Sequence, residues 1–172
     1  MTDFKNMRCA ADKSYPPICI TGQNRCYGSM MLEDLAGAHS EMTTINMYLY
    51  NMIRTGEDCE ELSALFMRIN IVEMHHLKIF GSLAMALGED PRLWSGRSGC
   101  RDYWTPAYSQ YPASLCSMVH NSLSGELCAI QTYEQQLAEI EDACIKANLA
   151  RIILDEQIHV EILEKVIEEY RL

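Results

Sequence analysis

The sequence predicts an all-α fold: a four-helix bundle built from two helix hairpins joined by one long crossover. Three observations predict it. Apolar residues recur at helical spacing through most of residues 29–170. Two tight breaks, near Gly56 and near Asp142, divide that span into antiparallel pairs. Between the pairs, residues 89–111 lack a helical period and are rich in Gly, Ser, Pro and aromatics.

Residues 1–28, with Pro16, Pro17, Gly22 and Gly28, read as an extended N-terminal arm. The bundle occupies 29–172. Ser29 is the expected N-cap of the first helix and Gly56 its stop. Asp58 and Glu61 resemble a capping box at the start of the second helix, which Gly88 ends. Pro112 suits the first turn of a third helix, and Asp142 the N-cap of a fourth. Neither Gly nor Pro marks that last break, so one continuous helix over 112–171 is the alternative. A crossover of this length spans helices of about 40 Å when extended. That is the connectivity of bundles with a single long crossover.

The chain carries 24 acidic and 14 basic residues, a net charge of -10. That balance excludes nucleic acid and anionic membrane surfaces as expected partners. No segment approaches a membrane span, and the first residues lack the apolar run of a secretory signal, so the expected compartment is the cytoplasm. The eight cysteines form no Cys-x-x-Cys pair, which argues against a zinc ribbon or rubredoxin-type iron site. They are expected to be free thiols in a reducing compartment.

The two halves repeat each other. Glu41-Met-Thr-Thr-Ile-Asn-Met-Tyr48 parallels Glu126-Leu-Cys-Ala-Ile-Gln-Thr-Tyr133, and Glu73-Met-His-His76 parallels Glu156-Gln-Ile-His159. The midpoint of 41 and 73 falls in the first tight break, and that of 126 and 156 in the second. Residues equidistant from a tight antiparallel turn sit at equal height. Each first-helix glutamate therefore faces the Glu-x-x-His of its partner, whose two side chains share one helical face. The candidate metal ligands are Glu41, Glu73, His76, Glu126, Glu156 and His159, the set of two-metal carboxylate bundles. Two divalent ions balance four carboxylates, and oxygen and imidazole donors suit iron or manganese. No catalytic residue beyond the ligands is read.

Ser-Glu41-Met-Thr-Thr-Ile-Asn-Met-Tyr48-Leu resembles the first-helix motif of bacterioferritins and manganese catalases. Glu73-Met-His-His76 resembles the Glu-Met-x-His of bacterioferritins and rubrerythrins, and Asp-Glu156-Gln-Ile-His159 their fourth-helix motif. The likeness covers about residues 29–170 and places the chain with the ferritin-like di-metal proteins. It implies two Fe or two Mn ions per chain, bridging roles for Glu73 and Glu156, and chemistry on O2 or hydrogen peroxide. The expected function is therefore peroxidase-, catalase- or ferroxidase-like. The alternatives are an iron-handling protein without dedicated catalysis and a bundle that serves as a scaffold. There is no Cys-rich electron-transfer domain of the rubrerythrin kind, so an electron donor would be a separate protein. The fifth helix of the cage-forming members is absent, which argues against a storage cage. A homodimer or small oligomer is expected.

Tyr48 and Tyr133 each follow a ligand glutamate by seven residues, about 10.5 Å along the same face. They are candidates to hydrogen-bond the ligands, with plain core packing as the other reading. Met74 stands where bacterioferritins place a haem ligand, but the methionine occurs in this motif without haem, so haem is not expected. His75 turns about 100° away from the ligand face, and His39 and His120 are assigned no role.

Overall fold

A computed structural model describes residues 3–95 and 101–172. Its helices are α1 (Arg25–Ala36), α2 (Glu41–Thr55), α3 (Glu60–Ala86), α4 (Leu115–Glu139) and α5 (Ala143–Tyr170). The α2–α3 and α4–α5 hairpins form the bundle, with α1 packed on α3. The predicted all-α bundle with one long crossover is the architecture observed.

The expected first helix is in fact two. It begins at Arg25, not Ser29, because the Asn24 side chain accepts from the amides of Cys26 (2.9 Å) and Tyr27 (3.2 Å). It then breaks at residues 37–40. A Cβ at Gly37 would lie 2.6 Å from the Glu33 carbonyl oxygen, so only glycine lets the chain leave the helix there. Ser40 restarts it as the N-cap of α2, accepting from the Thr43 amide at 3.4 Å. The Thr43 hydroxyl donates back to the Gly37 carbonyl at 3.3 Å.

The capping box at Asp58 and Glu61 does not form. Cys59 is the N-cap and makes no side-chain cap bond. The Glu61 carboxylate instead accepts from the Phe4 amide of the arm at 2.9 Å. Gly88 ends α3 as expected, at φ +96°, with the Glu89 amide donating to the Ala84 carbonyl at 2.9 Å. Helix α4 starts three residues after Pro112, capped by Ser114; the Pro112 carbonyl accepts from the Tyr50 hydroxyl at 3.2 Å. The α4–α5 break is real. Asp142 Oδ1 accepts from the amides of Cys144 (2.9 Å) and Ile145 (3.2 Å).

The crossover holds a two-residue-per-strand antiparallel pair, β1 (Trp94–Ser95) and β2 (Asp102–Tyr103). Its aromatics fasten it to the bundle. Trp104 Nε1 donates to the Thr43 hydroxyl (3.0 Å), and Asn46 donates to both Ser109 (2.8 Å) and the Tyr111 hydroxyl (2.8 Å). Trp94 Nε1 is satisfied within the crossover by the Asp90 carbonyl at 2.9 Å.

The arm makes a 3-10 turn at Phe4–Asn6 and then runs extended to Asn24. It lies along α5 and carries a disulfide, Cys19–Cys144, with Cα atoms 5.6 Å apart. This corrects the expectation of free thiols. The pairing joins residues 125 apart, which only the docking of the arm brings together. Among the described cysteines, 9, 26, 59, 116 and 128 are free; Cys100 lies outside the described residues. Among the described residues no helix is long and apolar enough to cross a membrane.

The apolar core is in two parts. One gathers Met31, Leu35, Phe80, Leu83, Leu149 and Ile152. The other gathers Leu62, Leu65, Phe66, Ile69, Val119 and Leu163. Along α3, Ile69 belongs to one part and Ile79 to the other. The buried polar residues Glu73 and His76 lie between them, which sets the level of the site.

Candidate metal centre

All six candidate ligands meet at this level, each at most 2% exposed. Donor atoms of Glu41, Glu73, His76 and Glu156 lie within 4.8 Å of one another, as do those of Glu73, Glu126, Glu156 and His159. Glu73 and Glu156 are common to both groups. Glu41 belongs only to the first and Glu126 only to the second.

Both histidines turn Nδ1 inward. His76 Nδ1 lies 3.0 Å from Glu73 and 3.1 Å from Glu156. His159 Nδ1 lies 2.9 Å from Glu73 and 3.1 Å from Glu156. The outer nitrogens are tied to acceptors. His76 Nε2 meets Asp155 Oδ2 at 3.1 Å, and His159 Nε2 meets the Cys9 carbonyl at 2.9 Å. A carbonyl can only accept, so Nε2 of His159 carries the proton and Nδ1 of the neutral ring keeps its lone pair for a cation. The Asp155 carboxylate fixes the same tautomer in His76.

Tyr48 and Tyr133 both hydrogen-bond ligands, and they do so crosswise. Tyr48, on the helix of Glu41, donates to Glu126. Tyr133, on the helix of Glu126, donates to Glu41 at 2.5 Å. Each tyrosine thus holds the glutamate of the opposite hairpin, which restrains the two carboxylates that belong to only one donor group.

Burial and mutual charge set the electrostatics of the cluster. Burial and the neighbouring charge of Glu73 push the Glu41 carboxyl well above its usual range. The same causes push Glu126 up to about 8. Burial alone would lower both histidines. The carboxylates outweigh it, chiefly Glu156 and Asp155 at His76 and Glu73 and Glu126 at His159, so both imidazoles are raised well above the ordinary value. Burial would raise Glu73, but the charges and hydrogen bonds of His159 and His76 hold it below the usual carboxylate range. Four oxygen donors and two imidazole nitrogens, converging in two overlapping groups, fit a pair of divalent iron or manganese ions.

A cavity of about 200 Å³ reaches this cluster between α2 and α4. Glu41, Glu73, Glu126 and Glu156 form its floor, and His39, Tyr108, Gln110 and Asn121 are among the residues around it. His39 comes to the cavity because the chain breaks between α1 and α2. The other side residues go elsewhere. Met74 is 48% exposed on the outer face of α3, remote from the donor atoms. His75 stacks on Tyr15, with ring centroids 6.1 Å apart. His120 bonds the Cys116 carbonyl at 2.9 Å.

The model of the ferritin-like family matches residues 35–148. The chain belongs to the ferritin-like family. Two crystal structures of a manganese catalase, KatB, from Anabaena are also similar to it. Each aligns at a TM-score of 0.80 and 19% identity, over 96% of this chain and 81% of that one. That likeness is one of fold. No curated protein matches the sequence.

Asp155, the Cys9 carbonyl and the N-terminal arm were not among the residues singled out from the sequence. Asp155 had a signal, an acidic residue directly before Glu156. The Cys9 carbonyl had none, because any residue offers a backbone oxygen.

Proposed function

We propose that this ferritin-like chain is a dinuclear iron or manganese protein that carries out redox chemistry on hydrogen peroxide or O2. The observation that carries the reading is the buried donor set: two overlapping groups of carboxylates and inward-facing Nδ1 atoms, with both outer imidazole nitrogens tied to acceptors. Bound there, such ions would supply electrons and polarise the oxygen substrate. The chain's own part is to hold them. Glu41, Glu73, His76, Glu126, Glu156 and His159 are the residues that would do so. Tyr48 and Tyr133 keep the single-site carboxylates oriented. The cavity is smaller than the roughly 300 Å³ at which pockets for organic ligands begin, which suits molecules of the size of peroxide or O2.

Metal analysis after reconstitution tests the site, and two glutamates of the same helix make the comparison. Glu126→Ala is expected to weaken metal binding by more than the about 10–100-fold that loss of an outer partner costs. Glu134→Ala, on the exposed face of α4, is expected to leave it unchanged. Well below one ion per wild-type chain after reconstitution would overturn the reading.

Stopped-flow absorbance on iron- and manganese-loaded protein, followed by oxygen-electrode assays, tests the chemistry. The loaded protein is expected to be oxidised by hydrogen peroxide or O2 much faster than its Glu73→Ala, Glu156→Ala variant. Equal rates would dismiss the redox reading in favour of a scaffold. Stoichiometric oxidation of added ferrous ion, without turnover of peroxide, would point to iron handling instead.

A further inference from the structure

The N-terminal arm runs along α5 in the opposite direction and contacts it at short intervals. The Cys9 carbonyl meets His159, and the Ala11 amide donates to Asp155 Oδ1 at 2.7 Å. The Lys13 carbonyl accepts from Arg151 Nε at 2.5 Å. The Pro17 carbonyl accepts from Asn148 at 3.4 Å. Cys19 is bonded to Cys144, and the Thr21 amide donates to Asp142 at 2.6 Å. The arm thus supplies one of the groups that hold the outer nitrogens, the Cys9 carbonyl, and touches the other, Asp155.

The two histidines are not held alike, although the hairpins repeat. Asp155, directly before Glu156, reaches across the bundle to His76 Nε2. The residue directly before Glu73 is Val72, which offers no acceptor for His159. The Cys9 carbonyl fills that role. Asp155 depends on the arm as well, since the Ala11 amide and the Tyr15 hydroxyl (2.6 Å) fix its two oxygens.

We propose that the arm is part of the metal centre: its Cys9 carbonyl positions His159 in place of the side chain that Val72 lacks, and the Cys19–Cys144 disulfide makes that hold depend on thiol–disulfide state. The proposal rests on the metal-binding reading above. Both cysteines are half-buried, so a small reductant has access. A dithiol reductant attacks one sulfur as its thiolate, forms a mixed disulfide, and closes on itself with its second thiol. Two electrons and two protons pass to Cys19 and Cys144, and the reductant leaves as its own disulfide. The arm then keeps its noncovalent contacts but loses its covalent tie to α5, and the segment carrying Cys9 and Ala11 opens more often.

The test uses the full chain loaded with manganese(II), oxidised or reduced with dithiothreitol and then desalted under argon. Metal loss to an added chelator is followed in both states, with far-UV circular dichroism as a check that the bundle stays folded. Reduction is expected to speed metal loss about tenfold, the lower end of what an outer partner contributes. The Cys19→Ser, Cys144→Ser variant is expected to lose metal at the fast rate in either condition. In metal-free protein labelled with 15N-histidine, solvent exchange of the His159 Nε2 proton is expected to quicken on reduction, a signal that general loosening elsewhere does not give. Equal metal loss in the two states of the wild type, or a response to reductant that persists in the double variant, overturns the proposal. If neither state takes up metal, the metal-binding reading fails, and the His159 proton alone decides whether the disulfide controls the arm.

Discussion

Loading the metal-free protein with two divalent ions at pH 7 is expected to release protons, at least about one of them from Glu126, and uptake should weaken steeply as the pH falls. Burial and the charge of Glu73 raise Glu41 well above its usual range and Glu126 to about 8, so Glu126 is mostly protonated at pH 7. The surrounding carboxylates raise His76 and His159 well above the ordinary value, so both hold a proton to higher pH than a free imidazole. A metal ligand must be a carboxylate or a neutral imidazole nitrogen, so the protons on these groups leave as the ions enter. Each released proton makes binding about tenfold weaker per pH unit, or roughly 100-fold per ion when two protons leave for each. Above about pH 8 the dependence is shallower by the one proton of Glu126, which has already ionised.

The metal-free bundle should respond to pH in the opposite sense. A raised carboxyl contributes stability that is complete below its ordinary value of 4.5 and is lost as pH rises towards about 8 at Glu126. The raised histidines add to this loss above 6.5. Calorimetric titration in buffers of different protonation enthalpy counts the protons, and thermal melts across pH 5–8 read the stability. Release of fewer than about one proton would show that the cluster is not charged as described.

The ligand set was legible because its geometry is periodic. Three-residue spacing in Glu73–His76 and Glu156–His159, and equal distances from two tight breaks, need no knowledge of distant contacts. Asp142 was legible for the same reason, since an N-cap acts two or three residues away. Where the sequence misled, a distant partner decided. Glu61 left its expected cap because the Phe4 amide, 57 residues away, needed an acceptor. The helix break before Glu41 follows from crowding of Gly37 against Glu33, which the run of apolar residues conceals. Local composition does not pair Cys19 with Cys144, because that bond depends on the arm lying along α5. The Cys9 carbonyl is the extreme case, a contact to the site made by backbone and therefore silent in sequence.

Asp155→Ala is expected to destabilise the metal-free protein by about 3–5 kcal/mol, the cost of leaving a buried charge without its partner. The Asp155 carboxylate is fully buried and meets four groups: His76 Nε2, the Ala11 amide, the Tyr15 hydroxyl and, at 2.6 Å, Arg151 Nη1. Arg151 is itself only 2% exposed. Without Asp155 its guanidinium keeps the Ala11 and Lys13 carbonyls and the face of Tyr15, 4.2 Å away, but no negative charge within ion-pair reach among the described residues. Truncation therefore strands a cation rather than merely deleting hydrogen bonds. Burial would raise the Asp155 carboxyl, but His76, Arg151 and Tyr15 hold it below the usual carboxylate range. Its stabilisation is therefore complete above the ordinary value of 3.8 and is lost as pH falls through the lower folded value. Denaturant unfolding should show a gap between wild type and variant that is constant over about pH 5–6, and that narrows below about pH 4 and, because Asp155 helps to raise His76, also above 6.5. Arg151→Met in the Asp155→Ala background removes the stranded charge and should recover part of the loss. A gap under about 1 kcal/mol at pH 7, or no recovery in the double variant, would mean that the carboxylate and the guanidinium do not depend on each other.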